Sequence, residues 1–203
     1  MTANGTLADT LELTDGRLCL RPWQATDASR LLDAARESID SVGRWLPWCH
    51  DAYRMEDAVA WIAHCRSGWD AGEHFAFPIF DADSGDLLGG IGLNQYQRLH
   101  RSANLGYWIR QSRQRQGIAV AAATLVAHFG FEQLGLIRIE VVALPDNHPS
   151  RRTAEKIGAR FEAIARRRLW ANEQAHDAAV YGLIPTDLDL SQLAAEHSRT
   201  TSS

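Results

Sequence analysis

Residues 104–135 read NLGYWIRQSRQRQGIAVAAATLVAHFGFEQLG, and the join inside them, QRQGIA at 114–119, decides the fold. The segment ending in LGYWIR has the aromatic composition of a strand, whereas the alanine-rich segment after the join reads as a helix. Gly117 stands at the boundary, so a helix is predicted from Gly117 to about Gln133, closed by Gly135. The first backbone N–H groups of such a helix have no intrahelical acceptor, and its dipole favours negative charge there. Read as Q-x-x-G-x-A, the join suits an anion of diphosphate size. Gly117 has no Cβ to hold a phosphate away, Ala119, Ala122 and Ala123 keep the following turns slim, and Arg113 and Arg115 are cationic. The same residues also fit a plain loop with solvated arginines. The spacing is neither G-x-G-x-x-G nor G-x-x-x-x-G-K-[ST], which disfavours dinucleotide folds and P-loops.

Outward from the join, RLCLR at 17–21 alternates and stops at Pro22, as a first strand does. Thr26 is the expected cap of a helix with Leu31, Leu32, Ala35 and Ile39 on its apolar stripe. After the tryptophan-rich loop VGRWLPWCH at 42–50, a second helix is expected near Glu56–Asp70, with Val59, Ile62, Ala63 and Trp69 inward and Gly72 at its end. The period then shifts to two through FAFPIF (75–80), LLGGIGL (87–93) and ANLGYWIR (103–110), an antiparallel meander joined by DADSGD and NQYQRLHR. LIRIEVVAL (136–144) alternates again, Pro149 and Gly158 bracket a short helix, and RFEAIARRRLW and HDAAVYGLI close the chain as a hairpin around ANEQA. The sum is an α+β chain, with a mixed, mostly antiparallel twisted sheet of six to seven strands flanked by about four helices. Residues 11–190 are expected to form one domain, between a mobile polar N-terminus (1–10) and a mobile C-terminal tail (191–203).

A chain of 203 residues suits one well-filled core and one active site. A net charge of -4 gives no reason to expect nucleic acid, and Arg166, Arg167 and Arg168 are expected to alternate faces of a strand instead of forming one basic patch. No apolar run approaches the roughly 20 residues that span a bilayer, and MTANGTLADT lacks a secretory apolar core, so cytoplasmic residence without a membrane partner is expected. Cys19, Cys49 and Cys65 show no C-x-x-C spacing, which suggests neither a disulfide framework nor a zinc ribbon. Cys49-His50 and His64-Cys65 read as buried or solvated residues beside helices, not as metal ligands.

These motifs, in this order, resemble the GNAT acyltransferases, and among them the RimJ/RimL type of N-terminal acetyltransferase. The resemblance rests on LCLRPWQATDASRL (18–31), RWLPW (44–48), LGYWI (105–109), QRQGIA (114–119), LGLIRIE (134–140) and NHPSRRTAEKIGA (147–159), and spans about Leu18 to Leu188. It implies the GNAT fold and acetyl-CoA as cosubstrate, without a metal, its diphosphate held by Gln114, Arg115, Gln116, Gly117, Ile118, Ala119 and Val120. It also implies that Tyr107–Arg110 is the strand whose splayed end receives the pantetheine arm, through backbone groups of Trp108 and Arg110. A backbone N–H near Trp108 or Ile109 would meet the thioester carbonyl as an oxyanion hole. Asn147 and Ser150 match the family's N-x-x-S, in which the asparagine contacts the pantetheine arm and the serine lies near the sulfur, placed to protonate the departing thiolate. Both residue types also suit a helix start beside Pro149.

The resemblance implies a carboxylate base acting through water, on or just before the strand that starts at Phe75. Glu73 is the nearest, with His74 beside it, and it reads equally as a surface carboxylate. The implied acceptor is a primary amine, foremost the N-terminal amine of a protein or peptide. A small amine (aminoacyl conjugate, amino sugar or polyamine) and a noncatalytic acyl-CoA-binding sensor stand as alternatives, and the type is compatible with a homodimer. An α-amino group with a pKa near 7.8 is about one-seventh neutral at pH 7, against about one molecule in 2,500 for a lysine, so an N-terminal amine asks less of its base. Trp45 and Trp48 either line an acceptor pocket or staple their loop, and Tyr96, His100 and Trp170 lie towards the acceptor side.

Overall fold

The computed structural model describes residues 10–171 and 173–188, in which eight strands form one sheet ordered β1-β2-β3-β4-β5-β6-β8-β7. The strands are β1 (Leu13–Thr14), β2 (Leu18–Leu20), β3 (Phe75–Asp81), β4 (Leu87–Gln97), β5 (Ser102–Ile109), β6 (Arg138–Ala143), β7 (Arg160–Ala171) and β8 (Gln174–Leu183). The described residues include the α-helices α1 (Ala28–Glu37), α2 (Ile39–Val42), α3 (Met55–Ala71), α4 (Ile118–Glu132) and α5 (His148–Lys156). The expected mobile ends, 1–10 and 191–203, lie outside the described residues except for Thr10.

The extra strand is β1, which pairs Leu13 with Leu20 and Thr14 with Cys19. Two residues are too few to display a period. The extra helix is the single turn α2. Ser38 Oγ donates to Ala34 O at 2.6 Å, and the chain turns there, so Ile39 begins a new turn instead of extending the stripe of α1. The start of this region is held by Asp27, not Thr26. The fully buried Asp27 carboxylate accepts the Gln24 N–H at 2.9 Å and pairs with Arg21 at 2.8 Å. On α3 the buried stripe is Ala58, Ile62, Cys65 and Trp69, whose steps of four, three and four follow the helical period, whereas Val59 and Ala63 face solvent. The expected alternation of Arg166, Arg167 and Arg168 is broken by a bulge between Ala165 and Leu169 with Arg167 at φ 52, and all three are exposed.

Two apolar clusters sandwich the sheet. Leu93, Leu105, Ile139 and Tyr181 pack with Ala122, Val126, Ala127 and Phe129 of α4, while Ala76, Phe80 and Leu87 pack with Leu31 and Ala35 of α1 and Ile62 of α3. Every strand pair is antiparallel except β5–β6, which runs parallel only over Ser102–Asn104 against Arg138–Glu140. Beyond those three pairs β5 follows β4 to Ile109, and β6 follows β8 to Ala143. The parallel strands therefore part from Leu105 onward, leaving a wedge in the middle of the sheet.

Candidate active site

The mouth of the wedge is the join before α4. Arg115 and Gly117 both have positive φ, 63 and 80, which turns the chain sharply into the helix. A Cβ on Gly117 would meet nothing within 4 Å, so glycine is favoured there by the backbone angle and the space in front is open. The first capped donor of the helix is Val120, whose N–H reaches Gly117 O at 3.1 Å, and no side chain caps the turn. The amides of Gly117, Ile118 and Ala119 thus lie ahead of the helical ladder, where the dipole favours an anion. Ile118 buries its side chain, Ala119 and Val120 are half-buried, and Arg115 and Gln116 are exposed. Arg113 is engaged elsewhere, in an ion pair with Asp86 at 3.0 Å, so Arg115 carries the exposed cationic charge of the loop.

Long-range contacts fix this loop. Gln114 Nε2 donates to Ile109 O at 3.0 Å and to Ser41 Oγ at 3.1 Å, making that side chain a strut. Glu37, at the end of α1, pairs with Arg110 and accepts the Ser112 N–H at 2.9 Å, while Ser38 Oγ accepts the Gln111 N–H at 3.1 Å. Burial pushes the Glu37 carboxyl up, but the bonds from Ser112 and the Arg110 guanidinium outweigh it and hold the group below the usual carboxylate range.

On the strand wall, the Arg110 N–H donates to Leu88 O at 2.8 Å. Because Trp108 opposes Gly90 in the same ladder, antiparallel alternation turns its backbone groups towards β4 as well. The odd-numbered residues face the other way: Arg101 O accepts the Ile137 N–H at 2.8 Å, and Ile109 O accepts Gln114. The backbone groups of Trp108 and Arg110, expected to face the wedge, are thus turned towards β4, and those of Tyr107 and Ile109 are turned towards the wedge. The Trp108 indole packs edge-on against Trp48 at 5.4 Å and lies over Gly90, where a Cβ would come 2.6 Å from its Nε1. Trp48 acts as a staple of the loop on this face.

Ser150 and Asn147 form the opposite wall, at the start of α5. Asn147 Oδ1 accepts the Ser150 N–H at 3.2 Å, the helix-start role that its residue type allows. The Tyr107 hydroxyl donates to Ser150 O at 2.9 Å and lies 3.2 Å from Ser150 Oγ. Burial outweighs these bonds and pushes Tyr107 up to about 12, so it stays a donor at neutral pH. The sequence alone shows Tyr107 only as a strand residue, because its hydrogen-bond partner lies 43 positions away.

Glu73 lies elsewhere, on a cleft of about 700 Å³ with Trp61, His64, His74 and the end of β4, from Asn94 through Tyr96 to Arg98 just beyond it. Burial, then the neighbouring His64, lowers the His74 pKa and favours the neutral imidazole. Trp45, His100 and Trp170 do not line this cleft; Trp45 stacks beneath Arg44 at 4.8 Å, and Trp170 is exposed. Among the described residues no cluster of His, Cys, Asp and Glu is placed to hold a metal, and no helix is long and apolar enough to cross a membrane.

Residues 17–160 match the model of the acetyltransferase (GNAT) domain. The chain is 30% identical over 174 residues to YdaF of Bacillus subtilis (strain 168), named as a candidate ribosomal N-acetyltransferase, covering 82% of this chain and 91% of the relative. It is 30% identical over 108 residues to the ribosomal-protein-serine acetyltransferase of Escherichia coli (strain K12), covering 53% of this chain and 59% of the relative. The structure of Mycobacterium smegmatis RimJ with CoA-disulfide superposes with a TM-score of 0.77 at 26% identity, over 94% of this chain and 93% of that one. With the parted parallel strands, the uncapped helix at their mouth and this match over most of its length, the chain belongs to the GNAT acetyltransferase family.

Proposed function

We propose that this acetyl-CoA-dependent N-acetyltransferase acts on the N-terminal amine of a protein or peptide. The observation that carries the reading is the wedge, with free helix amides at its mouth and Ser150 and Tyr107 across it. The cosubstrate fits it by chemistry: a diphosphate matches the Gly117–Ala119 amides and Arg115, and an amide-bearing arm matches the backbone groups of Tyr107 and Ile109. The cleft beside Glu73 falls within the roughly 300–1,000 Å³ of ligand sites and takes the acceptor.

The amine attacks the thioester carbon directly, so that a C–N bond forms as the C–S bond breaks. Ser150 Oγ donates a proton towards the departing thiolate, and Tyr107, bonded to the same residue, holds that hydroxyl in place. Glu73 receives the amine proton through solvent. The name of the E. coli relative, a ribosomal-protein-serine acetyltransferase, supports a protein acceptor, and a smaller amine would fit the same chemistry.

The test is thiol release from acetyl-CoA with a panel of peptides and small amines. We expect turnover with N-terminal peptides, reduced about 100-fold in Ser150→Ala with CoA binding retained, and a lowered kcat/KM in Glu73→Gln that recovers as pH rises. Turnover only with small amines would move the acceptor class, and CoA binding without turnover across the panel would make the chain a sensor.

A further inference from the structure

Asn104 stands where the wedge begins. The last parallel pair joins it to Glu140, and the strands part immediately after it. It lies directly opposite Asn94 in the β4–β5 ladder, and its Nδ2 donates to Asn94 Oδ1 at 3.0 Å. Its own Oδ1 is buried and has no hydrogen-bond partner among the described residues. A buried carbonyl oxygen left without a donor is uncommon, because it has given up water for nothing. Gly106, the next residue on the same face of β5, flanks the amide pair without a side chain: a Cβ there would come 3.4 Å from Asn94 Nδ2 and 4.0 Å from Asn104 Nδ2. Asn94 also lines the cleft shared with Glu73. One amide pair therefore joins the cleft to the apex of the wedge.

Alternation along β5 divides the chemistry between the two faces of the sheet. Asn104, Gly106 and Trp108 share the face packed by α1 and α3, where Trp108 meets Trp48. Tyr107 projects to the other face and meets Ser150. An attacking group and a leaving group on one carbonyl carbon are served most directly from opposite sides.

We propose that Asn104 Oδ1 binds the acceptor amine, accepting one of its N–H groups and turning its lone pair towards the thioester carbon. A primary amine has the N–H to give and the lone pair to keep. The carboxamide takes no proton; it orients the nucleophile, and the proton released as the C–N bond forms leaves by the Glu73 side. The assignment rests on the acetyl-transfer reading above and adds the group that holds the nucleophile.

The probe is a conjugate of CoA joined through an S-acetyl bridge to the N-terminus of a serine-initiated peptide, titrated calorimetrically beside CoA alone. Wild type should bind the conjugate more tightly than CoA. Asn104→Leu, which keeps the volume and loses the oxygen, should weaken the conjugate by about tenfold while the CoA Kd stays within about twofold, and the retained CoA binding reports a folded chain. Asn104→Asp, which keeps an acceptor oxygen, should hold most of the conjugate affinity, and kcat/KM for the peptide should follow the same order. A wild type that gains affinity from the peptide, with both variants gaining as much, overturns the assignment alone. A wild type that binds the conjugate no more tightly than CoA and turns over no amine overturns the transfer reading, and this assignment with it.

Discussion

The hydroxyl of Tyr107 donates to Ser150 O at 2.9 Å and lies 3.2 Å from Ser150 Oγ, so the strand wall of the wedge is tied to the helix on its far side. Tyr107→Phe removes that tie and leaves the ring. We expect kcat to fall about tenfold and stability by about 1 kcal/mol, with little change in KM for acetyl-CoA. Steady-state kinetics and thermal melts check this, and unchanged values in both would make the tie idle. The raised pKa of Tyr107 gives a signed pH effect. Its stabilisation is complete below the unfolded value of about 10 and is lost as pH rises through about 12, because between those limits the folded state holds the proton that the unfolded state has released.

Gly117 separates backbone conformation from crowding. With φ at 80 and no atom within 4 Å of an added Cβ, Gly117→Ala strains the backbone without a clash. The folded state should lose about 1 kcal/mol, a drop of about 2–4 °C in Tm. CoA affinity should fall by about tenfold or more, because the amides swing away from the anion and each amide–phosphate bond contributes about 1.5–3 kcal/mol. Calorimetry with CoA beside a melting curve distinguishes the two losses; equal CoA affinity would remove these amides from the site.

Glu37 makes the loop sensitive to acid. Its folded pKa is lowered, so its contribution is present above the unfolded value of about 4.3 and is lost as pH falls through the lower folded value. Glu37→Gln keeps the shape but loses the charge that holds Arg110 and the Ser112 N–H. It should weaken CoA by about threefold to tenfold at pH 7 and flatten the acid limb of the stability profile. An unchanged acid limb in this variant would show that the clamp contributes nothing to it.

Much of the scaffold was legible in the sequence, because its signals are local. The burial of β6 alternates residue by residue, Gly117 and Gly135 bracket α4, and Pro149 stands in the first turn of α5. What was not legible depends on partners far along the chain. Asp27 and not Thr26 holds the start of the first helical region because Arg21, just past the end of β2, reaches it. Arg113 turns from the loop to Asp86, and the clamp of Glu37 on Ser112 spans 75 positions. The sequence places Tyr107–Arg110 on a strand, but which backbone groups face the wedge depends on the register with β4, which a single strand does not encode. Asn104 carried no sequence signal, since its position matters only because the pairing of β5 with β6 stops there.

The most direct measurement is a crystal structure of the chain with CoA and an N-terminal peptide. The account predicts diphosphate oxygens within about 3 Å of the amides of Gly117, Ile118 and Ala119, the sulfur beside Ser150 Oγ, and the peptide amine in the cleft that reaches Asn94 and Asn104. A diphosphate seated away from those amides, or an arm that lies outside the wedge between β5 and β6, would contradict it.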